Sequence, residues 1–399
     1  MIKFLNLFSI IEESKIKNVS IFLLVLFCLF FAFNNHPITL AFWETVEIYN
    51  NFLPTQKPWL VFSISEEPVL FGPFNTFGYA GLAISRYISD YIGHSVSNIR
   101  LPSVVYGLIA LFLFYIIINR WFGWKAALIS TFILATNQYF LKFQHFLLSP
   151  MITLTSILFC VERFQNLLIK NNKFSIISFA FACALTTLNY WTSRWCMMGI
   201  LLFYLVDFDR FSIFKLKSYY FFTNLGRIKN FFLIIFSIII ILTIFFPGNF
   251  FLLFTPDFVY PSLRVGEYSN ELLKTLYNIF HNLGFYLKYF ILNRSHLPSD
   301  LVVYIPYQIE NTVILILTFI GIITCLIKKD TYSFLFVLFM FFIIFIPPLF
   351  SETANTVYHS SSSTLSIHRV FFCVPFICLL ATLAFKHLYF FIININYRS

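Results

Sequence analysis

Long apolar runs recur along almost the whole chain, and they restrict its fold more than any other feature. A membrane-spanning helix needs about 20 predominantly apolar residues, and about ten segments approach or meet that length. They are 19–33, 101–119, 125–141, 150–168, 174–190, 195–208, 230–247, 308–327, 331–349 and 367–385, the sixth being the shortest. The chain is therefore expected to be an all-α integral membrane protein of about ten transmembrane helices. Residues 1–399 are expected to form a single polytopic membrane domain. Composition agrees: 59% of residues are hydrophobic and 11% charged, against roughly half and a quarter in soluble domains. The first run lacks a small-x-small cleavage site and leads into Phe33-Asn34-Asn35-His36-Pro37, so it reads as an uncleaved anchor.

Formal net charge is +10, but the basic residues come in small clusters between apolar runs rather than as one stripe, which argues against a nucleic-acid partner. The clusters define sidedness. Lys3, Lys15, Lys17, Arg120, Lys125, Arg163, Lys170, Lys173, Arg210, Lys215, Lys217, Arg227, Lys229, Lys328, Lys329, Lys386 and Arg398 fall on one side. Glu44, Glu47, Glu66, Glu67, Asp257, Glu267, Glu271, Asp300 and Glu352 fall on the other. Both termini are thus expected in the cytoplasm, with outer segments at 34–100, 248–306 and 350–366. Within the first, Phe77-Gly78-Tyr79-Ala80-Gly81-Leu82 and the residues to Gly93 mix apolar side chains with Arg86 and Asp90, a composition suited to an interfacial helix. All seven cysteines lie in or beside apolar runs without a CxxC pair, so neither disulfides nor a thiolate metal site is expected. The long loop 248–306 has no HxxxH or HxxE spacing of a metal site.

Two features carry chemistry. Glu44 and Glu47, three residues apart beside Trp43, share a face if 41–51 is helical, with Trp43 and Tyr49 at headgroup level. Such a pair is either a solvated acidic face or a partly desolvated carboxylate fit to act as a general base, and spacing alone leaves both open. The second feature is the hairpin 98–140, in which Arg100, Leu101, Pro102 and Ser103 open a span and Asn119-Arg120-Trp121-Phe122-Gly123-Trp124-Lys125 make a basic turn into the next. Pro102 suits a first helical turn.

That hairpin resembles the signature of the protein-mannosyltransferase and aminoarabinose-transferase group, GT-C fold glycosyltransferases that use polyprenyl-phosphate sugars. The resemblance continues in order along the chain. Trp43-Glu44 stands where the group has an acidic pair, His145 and Ser149 stand where it has a short outer motif with Arg, and His368-Arg369-Val370-Phe371-Phe372 before Pro375 matches its last arginine-aromatic pattern. Trp43 and His145 depart from the group's charged residues at those places. The resemblance implies a GT-C-like bundle with interfacial helices in the first outer loop. It also implies a lipid-linked sugar donor, a polyprenyl-phosphate sugar, and transfer to a lipid, glycan or protein hydroxyl with inversion. Glu44 maps to the base, with Glu47 able to substitute from the same face.

A leaving phosphate requires preorganised cations; Arg369 and His368 are the first candidates, followed by Arg100, His145 and Arg194. Interfacial arginines also snorkel to headgroups, and Trp191 and Trp195, flanking Arg194, fit an interfacial belt as well as a sugar platform. The expected location is a bacterial or archaeal cytoplasmic membrane with the site facing outward. No particular metal is implied. A transporter or flippase of lipid-linked saccharides and an inactive scaffold subunit remain open; charges at span ends rather than mid-bilayer favour the enzyme over the transporter.

Overall fold

A computed structural model describes residues 2–34, 91, 96–145, 150–187, 189, 191–205, 225–245, 276–277, 279–284, 311–327, 332–349 and 371–396. The described residues are helical or in short turns, and the longer helices are α1 (Ile2–Asn34), α2 (Val96–Phe122), α3 (Trp124–Ala135), α4 (Gln138–Gln144), α5 (Pro150–Lys170), α6 (Lys173–Thr187), α7 (Trp191–Leu205), α8 (Leu225–Phe245), α9 (Asn311–Ile327), α10 (Tyr332–Leu349) and α11 (Val374–Asn396). Each of the ten apolar runs has its helix. Among the described residues, the segments Arg100–Phe122, Pro150–Lys170 and Gly226–Ile244 are long and apolar enough to cross a bilayer. The outward faces are apolar: Phe22 and Phe30 on α1 and Phe232 and Phe236 on α8 are exposed, as lipid-facing surface requires. The protein is an integral membrane protein. The outer segment expected to hold interfacial helices, 34–100, lies mostly outside the described residues, as does most of 248–306, and 350–366 lies wholly outside them.

Local chemistry explains the breaks. Gly123 separates α2 from α3 with φ 86° and ψ 164°, a combination open essentially to glycine alone. A methyl group there would meet nothing within 4 Å, so the cost of Gly123→Ala is purely conformational. We expect a loss of about 1–3 kcal/mol, measured by thermal unfolding in detergent; an unchanged melting temperature would contradict this turn geometry. Between α5 and α6, Asn171 takes φ 41°, a left-handed conformation that asparagine tolerates. Asn172 then caps α6: its Oδ1 accepts from the Ser175 N–H at 2.8 Å, while the Ser175 hydroxyl oxygen accepts from the Asn172 N–H at 3.1 Å.

Two expectations shift. The run 125–141 is not one continuous helix. Thr136 ends α3, its hydroxyl donating to the Phe132 carbonyl at 2.9 Å, and the Asn137 side chain caps α4 by accepting from the N–H groups of Tyr139 and Phe140 at 3.0 and 3.2 Å. Pro102 also stands in the second turn of α2 rather than the first, because the helix starts at Val96.

Packing runs α2 against α3 and α5, α5 against α6, α6 against α8, α7 against α10, and α11 against both α3 and α9. Phe164 on α5 stacks on Phe336 of α10, centroids 5.2 Å apart, and Phe203 of α7 meets Phe336 edge-on at 5.1 Å. This aromatic hub joins three helices distant in sequence. The Thr155 hydroxyl donates to the Tyr106 carbonyl and the Gln165 amide to the Ile117 carbonyl, so α2 and α5 run in the same direction. Thr318 approaches the Ile377 carbonyl at 3.5 Å, and Gly321, one turn on, faces Leu380, so α9 and α11 are parallel too. These relative directions agree with those the loop charges require. The basic turns also gather at one end: the Lys386 ammonium donates to the Phe122 carbonyl, Arg120 reaches Glu162, and Asn230 bonds Asn171.

Candidate functional site

At the opposite end from these basic turns, the short helix α4 is pressed onto α2. Gly107 makes this possible, since a Cβ in its place would lie 2.6–2.7 Å from the Gln144 side chain. The Gln144 amide donates to the Val104 carbonyl at 3.3 Å. His145, the next residue, is completely buried, its N–H bonded to the Leu141 carbonyl at 3.0 Å. Arg100, one turn before Val104, is also completely buried and is the largest such side chain described. An apolar interior accepts a guanidinium only at high cost unless its charge is answered. Two of the candidate site residues, Arg100 and His145, are thus buried at this end of α2 and α4.

The neighbouring ends of α5, α6 and α7 form a seam of small polar side chains. The Thr186 hydroxyl donates to the Ser156 carbonyl at 3.1 Å, the Asn189 amide to the Ser156 hydroxyl at 3.0 Å, and the Ser193 hydroxyl to the Thr186 carbonyl at 2.6 Å. Arg194 donates through Nε to the Thr187 carbonyl at 3.1 Å. The final carbonyls of a helix lack intrahelical partners and carry the negative end of its dipole. Arg194 therefore has a structural task in closing α6. Trp195 packs partly buried against the core; the Trp191 side chain lies outside the described residues, although its backbone opens α7.

The last arginine-aromatic motif comes to the same region. Phe371, just before α11, is buried with its ring 4.4 Å from that of Phe143 on α4. Two motifs far apart in the chain are thus in contact, one containing Phe143 and His145 and the other containing Phe371. Arg369 and His368 lie outside the described residues, as do Trp43, Glu44, Glu47 and Ser149. Among the described residues, no group of three or more His, Cys, Asp or Glu side chains is arranged to hold a metal ion.

Sequence reasoning misses one charged group. Glu162 is inconspicuous inside the apolar run 150–168, and Arg163 reads as a loop cation, yet both lie within α5, about two turns from its end. Glu162 is buried and paired with Arg120 and Arg163 at the basic end of the bundle. The signal that could have found them is an ionisable pair inside a candidate span.

No family model and no curated protein matches the sequence. Solved structures do. The crystal structure of the Archaeoglobus fulgidus oligosaccharyltransferase, tethered with an acceptor peptide containing the NVT sequon, matches with a TM-score of 0.50 at 10% identity, over 94% of this chain and 49% of that one. The archaeal oligosaccharyltransferase AglB from Archaeoglobus fulgidus, in complex with an inhibitory peptide and a dolichol-phosphate, gives a TM-score of 0.46 at 12% identity, over 96% and 52%. The chain spans about half the length of the oligosaccharyltransferases it matches. At this identity the first likeness speaks for the fold alone: an all-α membrane bundle like that of the oligosaccharyltransferase.

Proposed function

We propose that the chain is a membrane glycosyltransferase that moves a sugar from a polyprenyl-phosphate carrier to a lipid, glycan or protein hydroxyl on the extracytoplasmic face. The finer kinship proposed is with the protein-mannosyltransferase and aminoarabinose-transferase group. The observation that carries the reading is the contact of Phe143 with Phe371. It brings together, in a GT-C-like bundle, two stretches that the resemblance matches separately, one containing the buried His145 and the other following Arg369 in the chain.

In the proposed reaction Glu44 takes the proton of the acceptor hydroxyl as its oxygen attacks the anomeric carbon. The bond from that carbon to the phosphate oxygen breaks, the electron pair leaves on the polyprenyl phosphate, and the configuration inverts. Arg369 and His368 answer the growing phosphate charge first, with Arg100 and His145 behind them. Arg194 ranks last, because one of its nitrogens already closes α6. Glu47 serves as a reserve carboxylate.

The test is transfer from a labelled polyprenyl-phosphate sugar by the full chain in proteoliposomes. Arg369→Ala should lower transfer by about 10²–10³-fold, the usual loss of one donor to a developing anion. Normal donor binding and rate in that variant would remove Arg369 from the phosphate site. Wild-type chain inactive with every donor would favour the scaffold reading, for which Trp43 and His145 at the group's charged positions speak.

A further inference from the structure

The charged group at the basic end of the bundle is built like a binding site. The Glu162 carboxylate is 2% exposed and is gripped on both oxygens: Arg120 reaches one at 2.7 Å, and Nε of Arg163 reaches the other. Asn166 adds a third bond, donating at 2.8 Å. Arg163 also donates to the Ser178 hydroxyl on α6 at 3.3 Å and lies over the Phe159 ring, 5.4 Å from its centroid. One carboxylate thus holds two guanidiniums in place, and the cluster is left with one net positive charge.

The guanidiniums are not sealed in. Their side chains are 28% and 29% exposed, while the carboxylate between them is buried. The surface around Ser178 is bilayer-facing, since Phe174, Ile177 and Phe181 on α6 and Ile169 on α5 are all exposed. The cluster stands about two turns from the end of α5 and reaches Arg120 in the last turn of α2, where the basic turns begin. A cation at that place meets lipid rather than bulk solvent, and basic pockets between transmembrane helices take anionic headgroups. Arg120 also donates through Nη1 to the Glu162 carbonyl at 3.4 Å, which leaves Nε of Arg120 and Nη2 of Arg163 to donate to phosphate oxygens, each as a charge-assisted bond.

We infer that Arg120 and Arg163, oriented by Glu162, form a site for the phosphate of an anionic phospholipid, ~40 residues apart in sequence yet joined by one buried carboxylate. The site lies away from the proposed transfer chemistry and does not depend on it. Phospholipid binding there ties α2, α5 and α6 to the leaflet at the end where their loops are basic.

Native mass spectrometry of the full chain, offered phosphatidylglycerol and phosphatidylcholine at equal concentration, tests this. The wild type should retain phosphatidylglycerol preferentially. The double variant Glu162→Gln with Arg163→Gln keeps one net positive charge, on Arg120, and removes the buried carboxylate; its preference should fall about tenfold, the loss of one charge-assisted hydrogen bond to the phosphate. Arg163→Lys retains the ion pair with Glu162 but not the Nη2 donor, and should show a loss in the same direction from a folded background. Equal retention of the two lipids by the wild type, or an undiminished preference in both variants, would overturn the site. In a thermal-shift assay inorganic phosphate alone should leave wild type and double variant equally affected; selective stabilisation of the wild type would assign the pocket to a soluble phosphate and sink the lipid reading.

Discussion

Replacing Glu44 with Gln is expected to reduce sugar transfer by about 10²–10⁴-fold, the usual contribution of a positioned general base. The substitution keeps size and most hydrogen-bonding capacity but removes the lone pair that would take the acceptor's proton. The loss should fall on turnover while binding of the polyprenyl-phosphate donor stays near normal, because the base acts on the acceptor rather than on the phosphate. Glu47→Gln should cost far less if Glu44 is the base, and the ranking of the two variants decides which carboxylate carries the proton. Unchanged turnover in Glu44→Gln would remove it from that role. Trp43→Asp, which restores the acidic pair of the resembling group, is the companion measurement: a gain in rate would show that the pair is still usable.

The second large effect is structural. A side chain at Gly321 would put its Cβ 2.2 Å from the Leu380 carbonyl oxygen and 2.6 Å from the carbonyl carbon. Those are backbone atoms within α11, so no rotamer change can yield, and α9 and α11 must separate. Overpacking of this kind costs typically about 1–3 kcal/mol, occasionally more, and a β-branched residue against backbone belongs at the upper end. Gly321→Val should therefore lower the melting temperature in detergent sharply and reduce recovery of folded protein. Gly284→Val, with nothing within 4 Å of the new Cβ, should leave both nearly unchanged. Equal behaviour of the two variants would mean that the close approach of α9 and α11 is not part of the folded protein. The functional consequence reaches the candidate site, since Phe371 lies just before α11 and holds the ring of Phe143.

The class of this protein is legible in hydropathy and charge alone. The apolar runs locate the helices, and the lysines and arginines correctly pair the directions of α2 with α5 and of α9 with α11. Less of the site is legible. Arg100 and His145 stand out by their motifs, but nothing in the chain announces that both are fully buried. Arg194 reads as a phosphate cation, and nothing in the sequence announces that its Nε also bonds the Thr187 carbonyl. Glu162 stays hidden because an ionisable residue in a run scored by average hydropathy disappears into its apolar neighbours.

The sequence by itself determined that this chain is a helical membrane protein, where its apolar helices fall and which ends of them are basic. Each of these follows from properties that add up locally along the chain, namely apolar length against bilayer thickness and charge beside span ends. Only the tertiary structure decided which spans touch. In lipid, one apolar surface has no hydrophobic preference for another, and association rests on close approach at small residues and on hydrogen bonds between helices. Gly321 against Leu380, Gln144 in the gap at Gly107, and Glu162 between Arg120 and Arg163 are such contacts. Each depends on a partner far away in the chain, and a local reading of hydropathy and charge could not supply it.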